Sequence, residues 1–413
     1  MKKLALALVL ATTLTVGTMP AMAVAPKPGA ACSTAGKTVV QGRTTLKCTK
    51  SGKTLKWVAQ KPQVTGTGGS SQGSSSGGGT TSGGTAQGGT TQGGGTAGSD
   101  AIEPKPNTDT FTPATHSENA DAAWAKAGWT RPTSAESVTA AATKSFTNYV
   151  ATTRFPNDKV EIFAESGADS TLVDWVTKGA TLVATTFEKP ASLPVFNNVI
   201  AVSRDYLVST FTKLYDGGYA NAQAGAWDSG NPAWGGRTSN AWSMANIIKN
   251  NGMTNDRAGM AQTAGHEYFH AIQENFVNAS GTNCGSCGFP QWFWEGPAMF
   301  VGLETSAALG FDPYAHGRSV MLDRVNPGPT GKLSLKQVDV NTPPSVDPYG
   351  IGEIATEFLV ANVGMSKFID IYRWAGKGKS FEESFERATN VPLADFYLMF
   401  EDARATLGAP KQQ

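Results

Sequence analysis

The sequence holds few residues of several chemically active kinds, and this scarcity limits what the chain can do. Its 413 residues include only four histidines and four cysteines, so a metal or redox site has few side chains to draw on. Charged residues make up 16% of the chain, and 34 Lys and Arg nearly balance 33 Asp and Glu. That balance argues against nucleic acid or anionic lipid as the main partner. After the N-terminal segment, no run of apolar residues approaches the roughly 20 that a membrane helix needs, so the sequence predicts no membrane span.

The first segment has the pattern of a secretory signal peptide. A positively charged start precedes a short apolar stretch, and an Ala-Met-Ala sequence ending at Ala23 supplies a cleavage site. We therefore expect residues 1–23 to be removed and the product to be secreted, either extracellular or at the cell surface. The alternative of a lipid anchor at Cys32 is disfavoured, because residues 29–31 lack a large apolar side chain before that cysteine.

Composition divides the rest of the chain into three parts. Residues 24–61 contain short β-type runs separated by turns, and an oxidising compartment favours a Cys32–Cys48 disulfide, which together predict a small stapled β module. Residues 62–101 are almost entirely Gly, Ser, Thr and Gln and are predicted to be a flexible linker. Residues 102–413 have enough aromatic and aliphatic side chains to bury a large core and are predicted to be the working domain.

The working domain is predicted to be α+β. Strand patterns at Lys159 to Ala164 and Asn197 to Val202 are mixed with helical patterns, and after Gly281 the remaining elements are all helical. The predicted helices are Ala135 to Tyr149, Thr171 to Glu188, Glu295 to Ala308, Gly352 to Asn362, Ser366 to Ala375, Ser380 to Thr389 and Leu393 to Leu407. We expect a mixed-sheet N-lobe at about 102–280 and a mainly helical C-lobe at about 281–413.

Two of the four histidines flank a glutamate in the run His266-Glu267-Tyr268-Phe269-His270. In a helix this spacing puts both imidazoles on one face. A helix is favoured by capping side chains at residues 254–256, by apolar residues at helical spacing, and by a stop at Gly281. Two neutral imidazoles suit Zn²⁺, and Glu267 can act as the general base on a zinc-bound water.

A catalytic zinc site needs a third protein ligand and an open fourth position. Glu295 is the best candidate, since the 24 residues between it and His270 let one helix end and a second return. His316 is the alternative third ligand. His116 is predicted to be an ordinary polar residue.

The run at 266–270, followed by Trp-x-x-Glu-Gly-x-Ala around Glu295, resembles the gluzincin branch of the zincin metallopeptidases. The resemblance covers roughly residues 240–405. It implies a two-lobed zincin-like domain with one catalytic zinc held by His266, His270 and Glu295. The implied activity is hydrolysis of peptide bonds in a protein or peptide substrate.

Further features of that family have counterparts here. Tyr349, in a Tyr-Gly-Ile-Gly segment that opens a helix, matches a residue that can hydrogen-bond the oxyanion of a tetrahedral intermediate, although an ordinary surface turn is the alternative. The segment from Gly236 to Ser243 is placed to supply an edge strand for substrate. Because the chain has no Gly-x-Met-Glu-Asn segment of the aminopeptidase branch, an endopeptidase is favoured.

Several alternatives stay open from the sequence. The module at residues 24–61 starts with Gly-x-x-Cys and closes with Lys-Trp, and in this it resembles a short module beside many exported actinobacterial domains. A cell-wall or surface ligand is therefore one alternative for its partner. A catalytically silent zincin-like binding or scaffold protein is the alternative function. The pair Cys284 and Cys287 is predicted to be a structural disulfide rather than an oxidoreductase site. The aromatic residues 292–294 are expected to pack in the core rather than line a pocket.

Overall fold

The structure is a computed structural model of the whole chain. The residues it describes are 30–32, 35, 38–41, 44–51, 54–60 and 111–410, the last without 157–159, 191–194, 216–219, 221–223, 226, 229–232, 238–240, 248–256, 279–287, 327–328 and 340–345. The predicted signal peptide, the linker, the capping residues 254–256, Gly281 and the Cys284–Cys287 pair lie outside these residues.

The contacts divide the chain into two units, Met1–Ala97 and Gly98–Gln413. The first contains an antiparallel three-stranded sheet in the order β1-β2-β3. Its strands are β1 (Thr38–Gln41), β2 (Thr44–Ser51) and β3 (Thr54–Gln60). The predicted Cys32–Cys48 disulfide is confirmed, and Cys48 and Trp57 are buried opposite each other on neighbouring strands. The disulfide and this aromatic ring therefore form the small core of the unit.

The second unit is α+β and mostly helical, which agrees with the fold class predicted from the sequence. Its elements are α1 (Ala120–Ala127), α2 (Ala135–Thr152), β4 (Val160–Ala164), α3 (Ser170–Thr186), β5 (Val195–Ala201), α4 (Arg204–Leu214), β6 (Ala233–Arg237), β7 (Ala241–Ile247), α5 (Arg257–Val277), α6 (Gln291–Ala308), α7 (Tyr314–Val325), α8 (Pro348–Gly376), α9 (Phe381–Thr389) and α10 (Leu393–Ala403). Within the described residues, no helix combines the length and apolar character needed to cross a bilayer.

The four strands of this unit form one sheet in the order β4-β5-β7-β6. The first three are parallel and β6 runs antiparallel to β7 at the edge. The predicted edge segment is thus divided, because Gly236 and Arg237 lie on the edge strand whereas Ala241 to Ser243 lie on the inner strand β7. Helix α5 packs against β6, so the sheet edge and the histidine-bearing helix are neighbours.

Several helix boundaries differ from the sequence prediction. Helix α6 begins at Gln291, four residues before the predicted start, because Pro290 already stands in an extended conformation that opens the helix. The two helices predicted on either side of residue 364 are present as two segments of α8, because Gly364 between them takes a non-helical φ of 78° and ψ of 159°. The amide of Met365 at this kink donates to Ser145 Oγ at 2.8 Å. A glycine with positive φ therefore interrupts the helix here and redirects the chain between its two segments.

Among the described residues, the α-helices α1, α4 and α7 were not predicted. Helix α1 spans eight residues and buries only Ala123 and Trp124, too few to produce a clear periodic pattern. Its start is nevertheless marked, since Asn119 accepts from the amide of Ala122 as an N-cap. Ser203 caps α4 in the same way. Capping residues thus carried a signal that apolar periodicity did not.

Close contacts between glycines and neighbouring backbone hold α5, α6 and α8 together. A Cβ atom at Gly302 of α6 would lie 2.6 Å from the carbonyl oxygen of Gln262 on α5. A Cβ atom at Gly296 would lie 2.2 Å from the carbonyl carbon of Gly352 on α8. No side chain fits in either place, so α6 approaches both helices at backbone distance. This packing sets the position of Glu295, one residue before Gly296.

A buried polar cluster joins α6, α7 and α8 in the helical core. Glu304, Glu353 and Glu357 are at most 1% exposed. Arg318 donates to Glu357 at 2.5 Å, and the hydroxyl of Tyr314 lies within hydrogen-bond distance of both Glu353 and Glu357. Burial, and then the neighbouring Glu357, raises the pKa of Glu353 to about 8. Burial also raises the pKa of Glu304 to about 7, so the cluster retains protons that exposed carboxyls release.

Replacing Glu353 with glutamine is expected to flatten the pH dependence of stability. A folded pKa of about 8 against 4.5 for an ordinary glutamate means that the folded chain binds a proton that the unfolded chain has lost. The stabilisation that this proton contributes is therefore fully present below about pH 4.5 and is lost as the pH rises towards 8. The loss should amount to about 2–4 kcal/mol in wild type and be smaller in the variant, where Glu304 still loses its proton over this pH range. Urea unfolding between pH 5 and 9 measures the free energy of unfolding, with Glu161→Gln at an exposed position as the control. If this free energy changes with pH equally in wild type and Glu353→Gln, the prediction is contradicted.

Candidate metal centre

Helix α5 carries the histidine motif in the interior of the second unit. The apolar residues predicted to form its buried face are all at most 3% exposed, namely Met260, Ala261, Ala264, Tyr268, Ile272 and Phe276. His266 and His270 are also buried, at 5% and 8% exposure, while Glu267 is partly exposed. The motif therefore lies where α5 meets α6, with Glu267 on a side that solvent reaches.

Three side-chain donor atoms converge at this place. His270 Nε2 lies 3.1 Å from His266 Nε2 and 3.2 Å from Glu295 Oε2, and His266 Nε2 lies 3.5 Å from the same oxygen. Within the described residues this is the group of three or more His, Cys, Asp or Glu side chains arranged to hold a metal ion. Three atoms with lone pairs at such distances repel one another unless a proton or a cation lies between them.

The spacing of these atoms can be compared with metal geometry. Zinc bonds of about 2.0–2.1 Å in a tetrahedron put ligand atoms about 3.3 Å apart. An octahedral iron site with two imidazoles and one carboxylate would bring them to about 3.0 Å. The observed separations of 3.1, 3.2 and 3.5 Å are compatible with either geometry. Two nitrogen donors also disfavour calcium and magnesium, which prefer oxygen. The donor set fits zinc.

Glu295 reaches this group from the second turn of α6. Its side chain is 17% exposed and contacts both histidines. Burial would raise the pKa of Glu295, but His270 and His266 hold it well below the usual range. Burial would lower the pKa of His270, but Glu295, and then Glu267, raise it to about 9. A metal ion would have to displace that proton, so its affinity should fall as the pH falls.

Tyr349 borders the group from the first turn of α8. Asp347 caps this helix by accepting from the amide of Tyr349 at 3.0 Å, and a proline occupies the first helical position. The Tyr349 ring lies 5.8 Å from the ring of His266. Burial, and then the charges of Glu295 and Glu267, raises the pKa of the phenol. It therefore stays protonated and can donate a hydrogen bond beside the converging donors.

Arg324 supports Tyr349 and was not predicted from the sequence. Arg324 of α7 pairs with Asp347 at 2.7 Å, and its guanidinium lies 5.3 Å from the centre of the Tyr349 ring. This cation stabilises both the cap and the ring. Nothing in the local sequence around Arg324 indicates the contact, because its partners are more than 20 residues away and are brought together only by the packing of α7 on α8.

The remaining candidates lie apart from the converging donors. His316 is exposed on α7 and pairs with Asp312 at 2.7 Å, and His116 contacts the backbone of Ser117. Trp292 and Phe293 are fully buried, as expected for packing. Their neighbour Trp294 is only half-buried and stacks on the ring of His270, with ring centres 5.5 Å apart.

Comparisons of the chain with protein-family models, with curated proteins and with solved structures found no match. The function therefore has to be argued from the site itself.

Proposed function

We propose that this protein is a zinc-dependent peptidase of the gluzincin type, most simply an endopeptidase. The observation that carries the proposal is the convergence of His266 Nε2, His270 Nε2 and Glu295 Oε2 at 3.1–3.5 Å. The same helix carries Glu267 next to the first of these ligands. In the proposed site these three side chains would hold one zinc ion.

Each of the remaining groups has a role in amide hydrolysis. Zinc, when bound, supplies a more acidic water and polarises the scissile carbonyl. Glu267 accepts the proton of the attacking water and returns it to the leaving amine. Tyr349, protonated and bordering the site, donates a hydrogen bond to the oxygen that becomes negative. The partial exposure of Glu267 and Trp294 provides the side from which a peptide approaches.

Metal dependence of cleavage tests the proposal directly. The full chain should cleave an unstructured protein, a chelator should stop the reaction, and one equivalent of zinc should restore it. Mass spectrometry of the products should show internal cuts, because an endopeptidase does not need a free terminus. Fragments shortened one residue at a time would replace the endopeptidase assignment by an exopeptidase one.

If the protein is instead a catalytically silent binding or scaffold protein, a different result is expected. Zinc would then bind, but a broad peptide library would stay intact in the presence and absence of the metal. A disulfide oxidoreductase would instead exchange thiols and retain that activity in chelator. Either outcome contradicts the peptidase proposal.

A further inference from the structure

Gln273 is a buried residue one turn after His270 on α5, and its side chain contacts His270 and two other helices. It is 0% exposed. Its amide lies 2.7 Å from His270 Nδ1, 2.9 Å from the carbonyl oxygen of Trp294 and 3.0 Å from the hydroxyl of Tyr372. Trp294 is the residue before Glu295 on α6, and Tyr372 lies on α8, the helix that begins with Tyr349.

The chemistry of these partners determines which way the amide points. A backbone carbonyl only accepts, so the atom facing Trp294 must be the amide nitrogen, Nε2. The amide oxygen, Oε1, then faces His270, and because that oxygen only accepts, Nδ1 of His270 must carry the proton. A neutral imidazole protonated on Nδ1 has its lone pair on Nε2. That is the atom 3.2 Å from Glu295 Oε2.

A proline on α6 supports the same arrangement. Pro297 lies inside α6 and has no N–H to offer to the carbonyl of Phe293. The hydroxyl of Tyr372 lies 3.4 Å from that carbonyl oxygen and is positioned to donate to it. Tyr372 therefore accepts from Gln273 while donating to Phe293, and the amide of Gln273 makes a hydrogen bond with each of its polar atoms.

The two histidines differ in this respect. Within the described part of the chain, Nδ1 of His266 is buried and has no hydrogen-bond partner. Among the described residues only His270 of this pair has its Nδ1 in a chain of hydrogen bonds, which continues to α6 and α8. Outer-shell acceptors of this kind fix the ring and tautomer of a metal-binding histidine and increase its basicity.

We propose that Gln273 is a positioning residue that holds His270 in its metal-binding tautomer and links it to the backbone that delivers Glu295. This inference rests on the proposed metal site but concerns metal affinity, not turnover. Losing the acceptor should weaken zinc binding about 10–100-fold. Gln273→Met removes the polar atoms at similar volume. Gln273→Glu retains an acceptor for Nδ1 but loses the donor to Trp294.

The experiment measures the zinc dissociation constant of the full chain by competition with a chelator. The matched control is Gln262→Met, since Gln262 is on the same helix and contacts Met299 Sδ at 3.0 Å rather than a ligand. We expect Gln273→Met to bind about 10–100-fold more weakly, Gln273→Glu to recover part of that loss, and Gln262→Met to match wild type. Thermal unfolding of each metal-free variant verifies that it is folded before zinc is added.

The outcomes separate this inference from the proposed function. Wild-type affinity in Gln273→Met, or an equal loss in Gln262→Met, overturns the role of Gln273 and leaves the peptidase proposal untouched. A Gln273→Glu variant as weak as Gln273→Met also contradicts it, because the acceptor would then not matter. Failure of the wild-type chain to bind zinc contradicts the metal site and this inference together. Tight zinc binding without cleavage contradicts only the peptidase proposal.

Discussion

Replacing Glu267 with glutamine should abolish peptide hydrolysis and leave zinc binding intact. Glu267 is next to His266 in sequence but is not one of the three converging donors. Glutamine has nearly the same volume and cannot accept the proton of the attacking water. General acid and base groups contribute about 10²–10⁴ in rate, so kcat should fall by that factor. Initial rates with an unstructured protein, measured beside zinc content, provide the comparison.

The control for this change is Glu161→Gln, which makes the same chemical substitution at an exposed position on β4. Its rate and zinc content should equal those of wild type. Unreduced cleavage by Glu267→Gln would remove Glu267 from the mechanism. Loss of zinc together with activity would indicate that the residue holds the metal.

Replacing Glu295 with glutamine is expected to have the largest effect on metal binding. Glu295 is the anionic member of the donor group, and its carboxylate contacts both imidazoles. An amide oxygen is a weaker ligand without charge. We therefore expect affinity for zinc to fall by more than the roughly 10–100-fold that loss of an outer-shell contact causes. Chelator competition on the folded chain measures the dissociation constant.

His316→Ala is the comparison variant for Glu295→Gln, because His316 is the alternative third ligand predicted from the sequence. His316 is 68% exposed and pairs with Asp312, so its removal should leave zinc affinity unchanged. The reverse pattern, with normal binding in Glu295→Gln and lost binding in His316→Ala, would show that His316 provides the third ligand.

The part of the site that could be predicted from sequence is the part encoded locally. His266, Glu267 and His270 are fixed relative to one another by helical spacing, and the apolar repeat around them predicts the buried faces of α5. The front module could be predicted because two cysteines close in sequence tend to pair under oxidising conditions, and the Cys32–Cys48 bond is present. Both features depend on residues close in sequence.

The rest depends on packing between distant segments. Gln273 is spaced to share the face of His270, so its contact with that ring was accessible to sequence reasoning. Its bonds to Trp294 and Tyr372 were not, since they require α6 and α8 to approach at backbone distance. The buried cluster of Glu304, Glu353 and Glu357 is hidden for the same reason. Each carboxylate lies on an apolar helix face, and its partners come from α7 and α2.

We propose that His266, His270 and Glu295 together hold one zinc ion. The decisive measurement is X-ray absorption at the zinc edge of the loaded full chain. We predict one zinc per chain, two imidazole ligands and oxygen ligands at about 2.0–2.1 Å, with the signal lost in a His266→Ala, His270→Ala double variant. A stoichiometric zinc signal that is unchanged in the double variant, or no bound zinc in wild type, would contradict the claim.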